Sequence, residues 1–365
     1  MKKRSATITW VTYNNFGTFL QAYALQKYIV QQGWDNYILD DSPMIKVNTS
    51  WKYEFKKALM RIFLTSFRKY EQSRERAIYM FNEFKRKHLV IDGRTCNLNK
   101  IEPEYNVFIC GSDQIWNPFS LDNPNAGFYY ASFTKKKKIA YAPSIGVYEV
   151  PQQYKAKLKE LTNGFDFLSA REQQGVDILR ELTGKEVTKV VDPTLLLDVN
   201  QWNELLPEGS PCEEKYILAY FLTPNSIFIK TVSNYAKKHG LKLKLFFTDK
   251  TYYGYDCNLI TAGPIEFLHY VRNAECLFTD SFHGSIFATI FHTQFFTFRR
   301  FKETAKSQNS RVENLLEMMG VGERLLGEDD CGKVNELPDI DFERVDSNLA
   351  PFIKKSKEYL EKALK

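Results

Sequence analysis

Four short stretches of this sequence carry side chains whose types and spacing suit chemistry on an anionic or sugar-like substrate: TDSFHGS (279–285), GSDQIW (111–116), SAREQQ (169–174) and NNFGT (14–18). In the first, an apolar strand-like run ends at Asp280 and a helix-like run follows at once, so the amides from Ser281 to Ser285 fall near a helix N-terminus. Unpaired N–H groups and the helix dipole favour an anion there. Gly284 permits close approach to the backbone, and His283 is then aimed at whatever anion sits on the helix start. The plainer alternative makes Asp280 or Ser281 an N-cap and His283 a packed core imidazole.

In SAREQQ, Arg171 follows another strand-like run, and a guanidinium grips a carboxylate or phosphate with two parallel hydrogen bonds. A surface pair with Glu172 is the competing reading. Arg299 and Arg300 in FRRFK (298–302), and Arg311 beyond them, offer further cations for an anionic group; a solvated loop is the alternative. In GSDQIW, Asp113 can hydrogen-bond or deprotonate a sugar hydroxyl and Trp116 can stack on an apolar sugar face, unless the triplet is only an Asx-type turn. Asn14, Asn15 and Gly17 form a turn before a helix that carries Gln21; without a full G-x-G-x-x-G, dinucleotide binding is weakly supported. No G-x-x-x-x-G-K-[ST], G-x-S-x-G or H-E-x-x-H occurs.

All four stretches fall where an α/β protein places its loops. ATITWVTY, the helix FLQAYALQKYIVQQG closed by Gly33, and NYILD read as a βαβ opening, which favours a parallel, helix-covered sheet. NVFIC, KKIAYA and FDFLSA continue the alternation. QWNELLPEGSPCEEK is polar and broken by Pro and Gly, as a linker is. KYILAYFL, LKLKLFFTD, ECLFTD and TQFFTF, with helices between, then restart the pattern. The expected architecture is α/β: two Rossmann-like domains facing each other across a cleft, over 1–198 and 199–345, with a C-terminal amphipathic helix (346–365) packing back across both. In such sheets ligands bind outside the carboxyl ends of the strands.

A chain of 365 residues exceeds the roughly 100–200 of one domain. Its 44% hydrophobic and 26% charged residues fit a globular protein rather than a disordered or membrane-spanning one. The N-terminus has no signal-peptide pattern, so the expected compartment is the cytoplasm. Six scattered cysteines without a C-x-x-C pair read as reduced thiols, and five histidines without zinc spacing give no expectation of a bound metal. Of the net charge of +6, the stretch from Trp51 to Val90 alone accounts for +7, with 11 Lys and Arg against 4 Glu. It reads as one or two amphipathic helices, a basic insertion that either covers the core or leans on an anionic membrane or a lipid-linked substrate. Nucleic acid is not expected as a partner.

Taken together and in order, NNFGTFLQAYALQ, CGSDQIWNP, AYAPSIG, SAREQQGVDIL, VVDPTLLL and TDSFHGSIFATIF resemble the polysaccharide pyruvyl transferase family, from about Thr12 to about Arg324. The resemblance implies a fold like that of glycosyltransferase B enzymes. It also implies transfer of a pyruvyl group from phosphoenolpyruvate to hydroxyls of a nucleotide- or lipid-linked sugar, usually as a cyclic ketal on a cell-surface glycan precursor, with no cofactor. In that scheme His283 is the general acid or phosphate clamp and Asp113 orients the acceptor. Arg171, Ser281, Gly284, Ser285, Arg299 and Arg311 hold the donor, and Asn15, Gly17, Gln21, Gln114 and Trp116 the acceptor. Where the family resembles Arg-Leu-His, this chain has Ser281-Phe282-His283, and Arg299, Arg300 or Arg311 would bring the missing charge from the next loop. A glycosyltransferase-like enzyme with a sugar-nucleotide donor and a non-catalytic glycan-binding protein are the alternatives.

Overall fold

The computed structural model describes residues 3–45, 51, 60, 64–300 and 310–365. β1 (Arg4–Ile8) runs into a loop whose last residue, Asn15, caps α1 (Phe16–Gln31) by accepting hydrogen bonds from the amides of Gly17 and Thr18. This is the usual use of an Asn side chain at a helix start. The chain leaves α1 through Gly33, whose φ of +84° suits only glycine, and enters β2 (Asp35–Leu39). After α2 (Thr65–His88) come β3 (Ile91–Asp92), β4 (Val107–Cys110) and β5 (Lys137–Ala140). These five strands pair in the order β3-β2-β1-β4-β5, all parallel. α3 (Gln152–Asn163), β6 (Leu168–Ala170), α4 (Gln173–Thr183) and β7 (Val187–Lys189) follow, with β6 and β7 paired in a small parallel sheet that a single bridge at Ile139 and Phe167 links to β5.

A single helical turn (Val199–Asn203) leads out of this half. The second half contains β8 (Tyr216–Tyr220), α5 (Ser226–Lys238), β9 (Lys242–Phe246), β10 (Asn258–Ile260), α6 (Pro264–Arg272), β11 (Cys276–Thr279), α7 (Phe282–Ile290) and β12 (Gln294–Phe298). α8 (Ser310–Met319), β13 (Leu325–Leu326) and α9 (Phe342–Leu364) complete it. Its six strands are parallel in the order β10-β9-β8-β11-β12-β13. In each sheet the order reverses direction beside the first strand, at β1/β4 and at β8/β11. Those reversals are where open α/β sheets leave a crevice for ligands.

Between the sheets the core is continuous. The residues of α1 from Phe16 to Gln26 are all buried, so the helix has no solvent face over most of its length. Phe16 stacks on Phe267 of α6 at 4.6 Å and on Phe81 of α2 at 5.5 Å. Full burial of such a ring contributes about 1.5–3 kcal/mol, so the contact couples α2 to both sheets. α9 returns to the first half: Tyr359 donates to the carbonyl of Ala140 at 2.9 Å, and the amide of Val191 donates to Ser356 at 2.9 Å.

Of the basic stretch 51–90, residues 52–59 and 61–63 lie outside the described residues, as do Phe301 and Lys302 of FRRFK. Residues 65–88 form α2, whose Phe81 and Phe84 are buried while Arg68, Lys69, Arg76, Arg86 and Lys87 are exposed. Among the described residues, no helix is long and apolar enough to cross a membrane.

Candidate active site

All four residues of β11 are buried, and the strand delivers Asp280 and Ser281 to its carboxyl end. Ser281 caps α7, its Oγ accepting from the amide of Gly284 at 3.2 Å. Gly284 rests directly on the Thr279 side chain, where a β-carbon would come within 2.6 Å of Oγ1. The first turn of α7 is thereby pressed onto the strand, and His283, in that turn, points toward α1. On the other side of the gap β4 ends at Cys110, and Asp113 stands three residues beyond with φ at +67°, a left-handed conformation that a non-glycine residue keeps only when held. Two hydrogen bonds hold its carboxylate, from Thr18 Oγ1 at 2.8 Å and from the Gln114 amide at 2.9 Å.

Between these two strand ends lies a cleft of about 160 Å³. Trp10, Tyr13, Asn15, Thr18, Asp113 and Gln114 line one side; Asp280, Ser281, Phe282, His283, Arg299, Arg300 and Arg311 line the other. Arg299 is ion-paired with Glu313. Nε of Arg300 donates to Thr223 Oγ1 at 2.7 Å and stands 4.0 Å from Asp280. Burial and the nearby charge of Arg171 push the Arg311 guanidinium down to about 10, so it remains a cation at neutral pH. Burial also pushes the Asp280 carboxyl up to about 6, although its oxygens accept from the amides of Leu222 at 2.6 Å and Thr223 at 3.0 Å. Three guanidinium groups against the carboxylates of Asp113 and Asp280 leave the cleft lining with an excess of cations, which suits an anion.

Behind His283 sits a buried ionic assembly. Oδ2 of Asp192 accepts from Arg171 Nη1 at 2.7 Å and from Ser112 Oγ at 3.4 Å, and Oδ1 accepts from the amide and hydroxyl of Thr194 at 3.0 and 2.7 Å. Nε2 of His283 lies 3.4 Å from Oδ2 but makes no aligned hydrogen bond. Burial alone would raise the Asp192 carboxyl; His283 and Arg171 together outweigh it and hold Asp192 well below the usual carboxylate range. Arg171 also donates to Glu172 at 2.9 Å and lies 4.2 Å over the ring of Phe282.

Several residues therefore stand elsewhere than the sequence suggested. Arg171 is buried behind the cleft and does not line it; its Nε and Nη1 are engaged by Glu172 and Asp192 and its plane lies over Phe282, while Nη2 is buried without a hydrogen-bond partner. Trp116 is fully buried, stacked on Tyr130 at 5.1 Å and donating to the carbonyl of Tyr129, so no sugar can reach its face. Gln21 is equally enclosed: its amide nitrogen donates to Thr9 and to the carbonyl of Thr18, and its oxygen accepts from Ser112, which makes it a brace for the Asp113 loop. Ser285 is buried against Thr297 at 2.7 Å, and the amide of Gly284 is already taken by Ser281. The cap thus takes one of the amides of the helix start. His283, Asp113, Ser281, Arg299, Arg311, Asn15 and Gln114 do meet in the cleft, and Gly17 packs against His283.

Sequence reasoning passed over Asp192, Asp280, Thr18 and Trp10 as site residues. A signal existed for the two acids, since each directly follows a hydrophobic strand-like run, VV and LFT, as Asp113 follows its own strand at short range. Nothing local marks Thr18 or Trp10, which reach the cleft only because α1 and the β1 loop are folded onto β4.

Two parallel α/β sheets with a cleft between their carboxyl ends place the protein among the glycosyltransferase-B-like folds. A putative UDP-N-acetylglucosamine 2-epimerase from Listeria monocytogenes aligns over 100% of this chain and 91% of its own, at 10% identity and a TM-score of 0.52. The UDP-GlcNAc 2-epimerase of Methanocaldococcus jannaschii, solved with UDP-GlcNAc and UDP, aligns over 100% and 99%, at 12% identity and a TM-score of 0.50. The glycotransferase of kitacinnamycin aligns over 100% of both chains, at 10% identity and a TM-score of 0.51. At such identities the likeness is one of fold. No curated protein matches the chain in sequence. Residues 15–300 match the family model described as Polysaccharide pyruvyl transferase, and the chain belongs to that family.

Proposed function

We propose that the protein transfers a pyruvyl group from phosphoenolpyruvate to two hydroxyls of a nucleotide- or lipid-linked sugar during synthesis of a cell-surface polysaccharide. The observation that carries this reading is the pairing, in one cleft, of a carboxylate-backed imidazole, three guanidinium groups and an opposed carboxylate. The donor presents a carboxylate and a phosphate, which Arg299, Arg300 and Arg311 are placed to receive. Arg300 takes the part of the arginine that the family carries where this chain has Ser281.

In the proposed reaction a proton adds to the methylene carbon of the enol, and the first sugar hydroxyl bonds to the adjacent carbon as its own proton passes to Asp113. The bond from that carbon to the phosphate oxygen then breaks, and the second hydroxyl closes the ketal. Two hydroxyl protons are thereby redistributed to the new methyl group and to the departing phosphate. His283 is the acid. Its Nε2 is enclosed beside Asp192, which leaves Nδ1 as the nitrogen to exchange a proton with substrate. Asp192 stabilises the imidazolium between turnovers, and Arg171 fixes Asp192.

In this proposal the reaction takes place in the cytoplasm, and the exposed cations of α2 support contact with an anionic membrane surface where lipid-linked acceptors reside. The test is phosphate release from phosphoenolpyruvate in the presence of a panel of nucleotide- and lipid-linked sugars. Release should require acceptor and be abolished by His283→Ala. Background release across the panel, with thermal stabilisation by a nucleotide sugar but not by phosphoenolpyruvate, would replace the donor with a sugar nucleotide.

A further inference from the structure

A second cavity opens beside the cleft at the carboxyl ends of β1, β2 and β4, with a volume of about 380 Å³, within the range of small-molecule sites. Trp10, Tyr13 and Gln114 line both spaces, so the two adjoin. Its other walls include Ser120, Asn123 and Tyr129. The aromatic rings form a corner: Trp10 stands edge-on to Tyr13 at 6.3 Å and to Tyr129 at 6.5 Å, with interplanar angles of 66° and 88°.

We propose that this cavity seats the pyranose ring of the acceptor, a deepening that rests on the pyruvyl-transfer reading of the adjoining cleft. A pyranose offers an apolar C–H face and a rim of hydroxyls, and the cavity offers both complements, aromatic rings on one wall and amide and hydroxyl groups on the other. Charge separates the two spaces. The cleft is lined by three arginines, whereas among the described residues no lysine or arginine lines this cavity, and the carboxylate of Asp41 stands among its walls. Walls of this kind favour a neutral polyol over an anionic donor.

Asp41 is itself fully buried and serves as a positioning residue. One carboxylate oxygen accepts from the amide of Val11 at 3.3 Å and the hydroxyl of Thr12 at 3.0 Å; the other accepts from Tyr129 at 3.1 Å. It pins the loop carrying Trp10 and Tyr13 to the end of β2 and orients the Tyr129 ring. Gly146 gives Gln114 its place: a β-carbon there would come within 2.9 Å of the amide nitrogen. A sugar stacked in this corner points its hydroxyls across Gln114 toward Asp113 and His283, where the ketal forms.

The test is saturation-transfer NMR on the full chain with methyl α- and β-pyranosides of glucose, galactose, mannose and N-acetylglucosamine. At least one glycoside should bind, and Trp10→Ala and Tyr13→Ala should each weaken it about tenfold, while Trp10→Phe, which keeps a ring, retains most of the signal. Tyr13 is 62% exposed, so its replacement does not put the fold at risk. No transfer to any glycoside, or transfer unchanged in both alanine variants, overturns the proposal. Ring-dependent glycoside binding without acceptor-dependent phosphate release would end the pyruvyl-transfer reading and leave the sugar site standing. Turnover with the acceptor KM unchanged in both variants would end the sugar site and leave the reaction standing.

Discussion

A β-carbon added to Gly17 would fall 1.9 Å from Nδ1 of His283. The first turn of α1 and the first turn of α7 therefore meet with no room for a side chain, and the imidazole is wedged between Gly17 on one side and Asp192 on the other. The wedge is what turns two helix starts from opposite sheets into one site. Gly17→Ala must displace the ring, because the backbone of α1 is buried and cannot retreat. Overpacking of this kind costs about 1–3 kcal/mol, and a misplacement of about 1 Å costs about a hundredfold in rate. Thermal unfolding together with acceptor-dependent phosphate release checks both; a variant with the parent's turnover would show that the contact plays no part in positioning His283.

Asp192 supports both Arg171 and His283, so its loss leaves a buried guanidinium one counter-charge short. Asp192→Asn keeps the shape and removes the charge, and should lower stability by about 3–5 kcal/mol. The pH dependence has a definite sign. Because the folded carboxyl is held below its ordinary value, the stabilisation is complete above about pH 4 and fades as pH falls toward the lowered value. Denaturant unfolding of both proteins across acid pH should show the gap between them narrowing only on the acid side; a gap that widens there contradicts the assigned charge state.

Strand-and-helix alternation made the two sheets readable because each strand is a short apolar run with a glycine or polar turn behind it, as at Gly33 and Gly184. The candidate residues at strand ends, Asp113 and His283, were readable for the same reason. What the sequence hid was set by packing between elements far apart in the chain. Arg171 looks like a ligand grip until Asp192, 21 residues later, is brought within 2.7 Å. Trp116 looks like a sugar platform until Tyr130 covers its face. Trp10 carries no local signal at all, since its role depends on Tyr129 and Asp41 closing a corner around it.

Arg300 stands on the cleft wall with its side chain 30% exposed, which separates its effect on ligand binding from its effect on folding. Arg300→Ala should raise the phosphoenolpyruvate concentration needed for half-maximal rate by about ten- to a hundredfold, the worth of one or two charge-assisted hydrogen bonds, with little change in Tm. Arg300→Lys should recover part of the loss, because a point charge replaces a fork. Steady-state kinetics with the donor varied decides it. An unchanged KM in the alanine variant would assign the anion to Arg299 and Arg311 alone.

Asp280 makes the opposite pH prediction to Asp192, and the two can be read in one experiment. Its folded carboxyl is pushed up to about 6 by burial, against an ordinary value near 4. Below about pH 4 both folded and unfolded chains are protonated there. As pH rises the unfolded chain ionises first, so the folded state loses stability until pH passes about 6, and the loss is on the order of 2–3 kcal/mol. Asp280→Asn cannot ionise and escapes this slope, although it pays a constant cost at the Leu222 and Thr223 amides. The unfolding free energy of the parent minus that of the variant should therefore fall between about pH 4 and 6 and then level off. A difference that stays flat across that window would mean that Asp280 is already ionised at pH 4, and that burial does not raise its carboxyl.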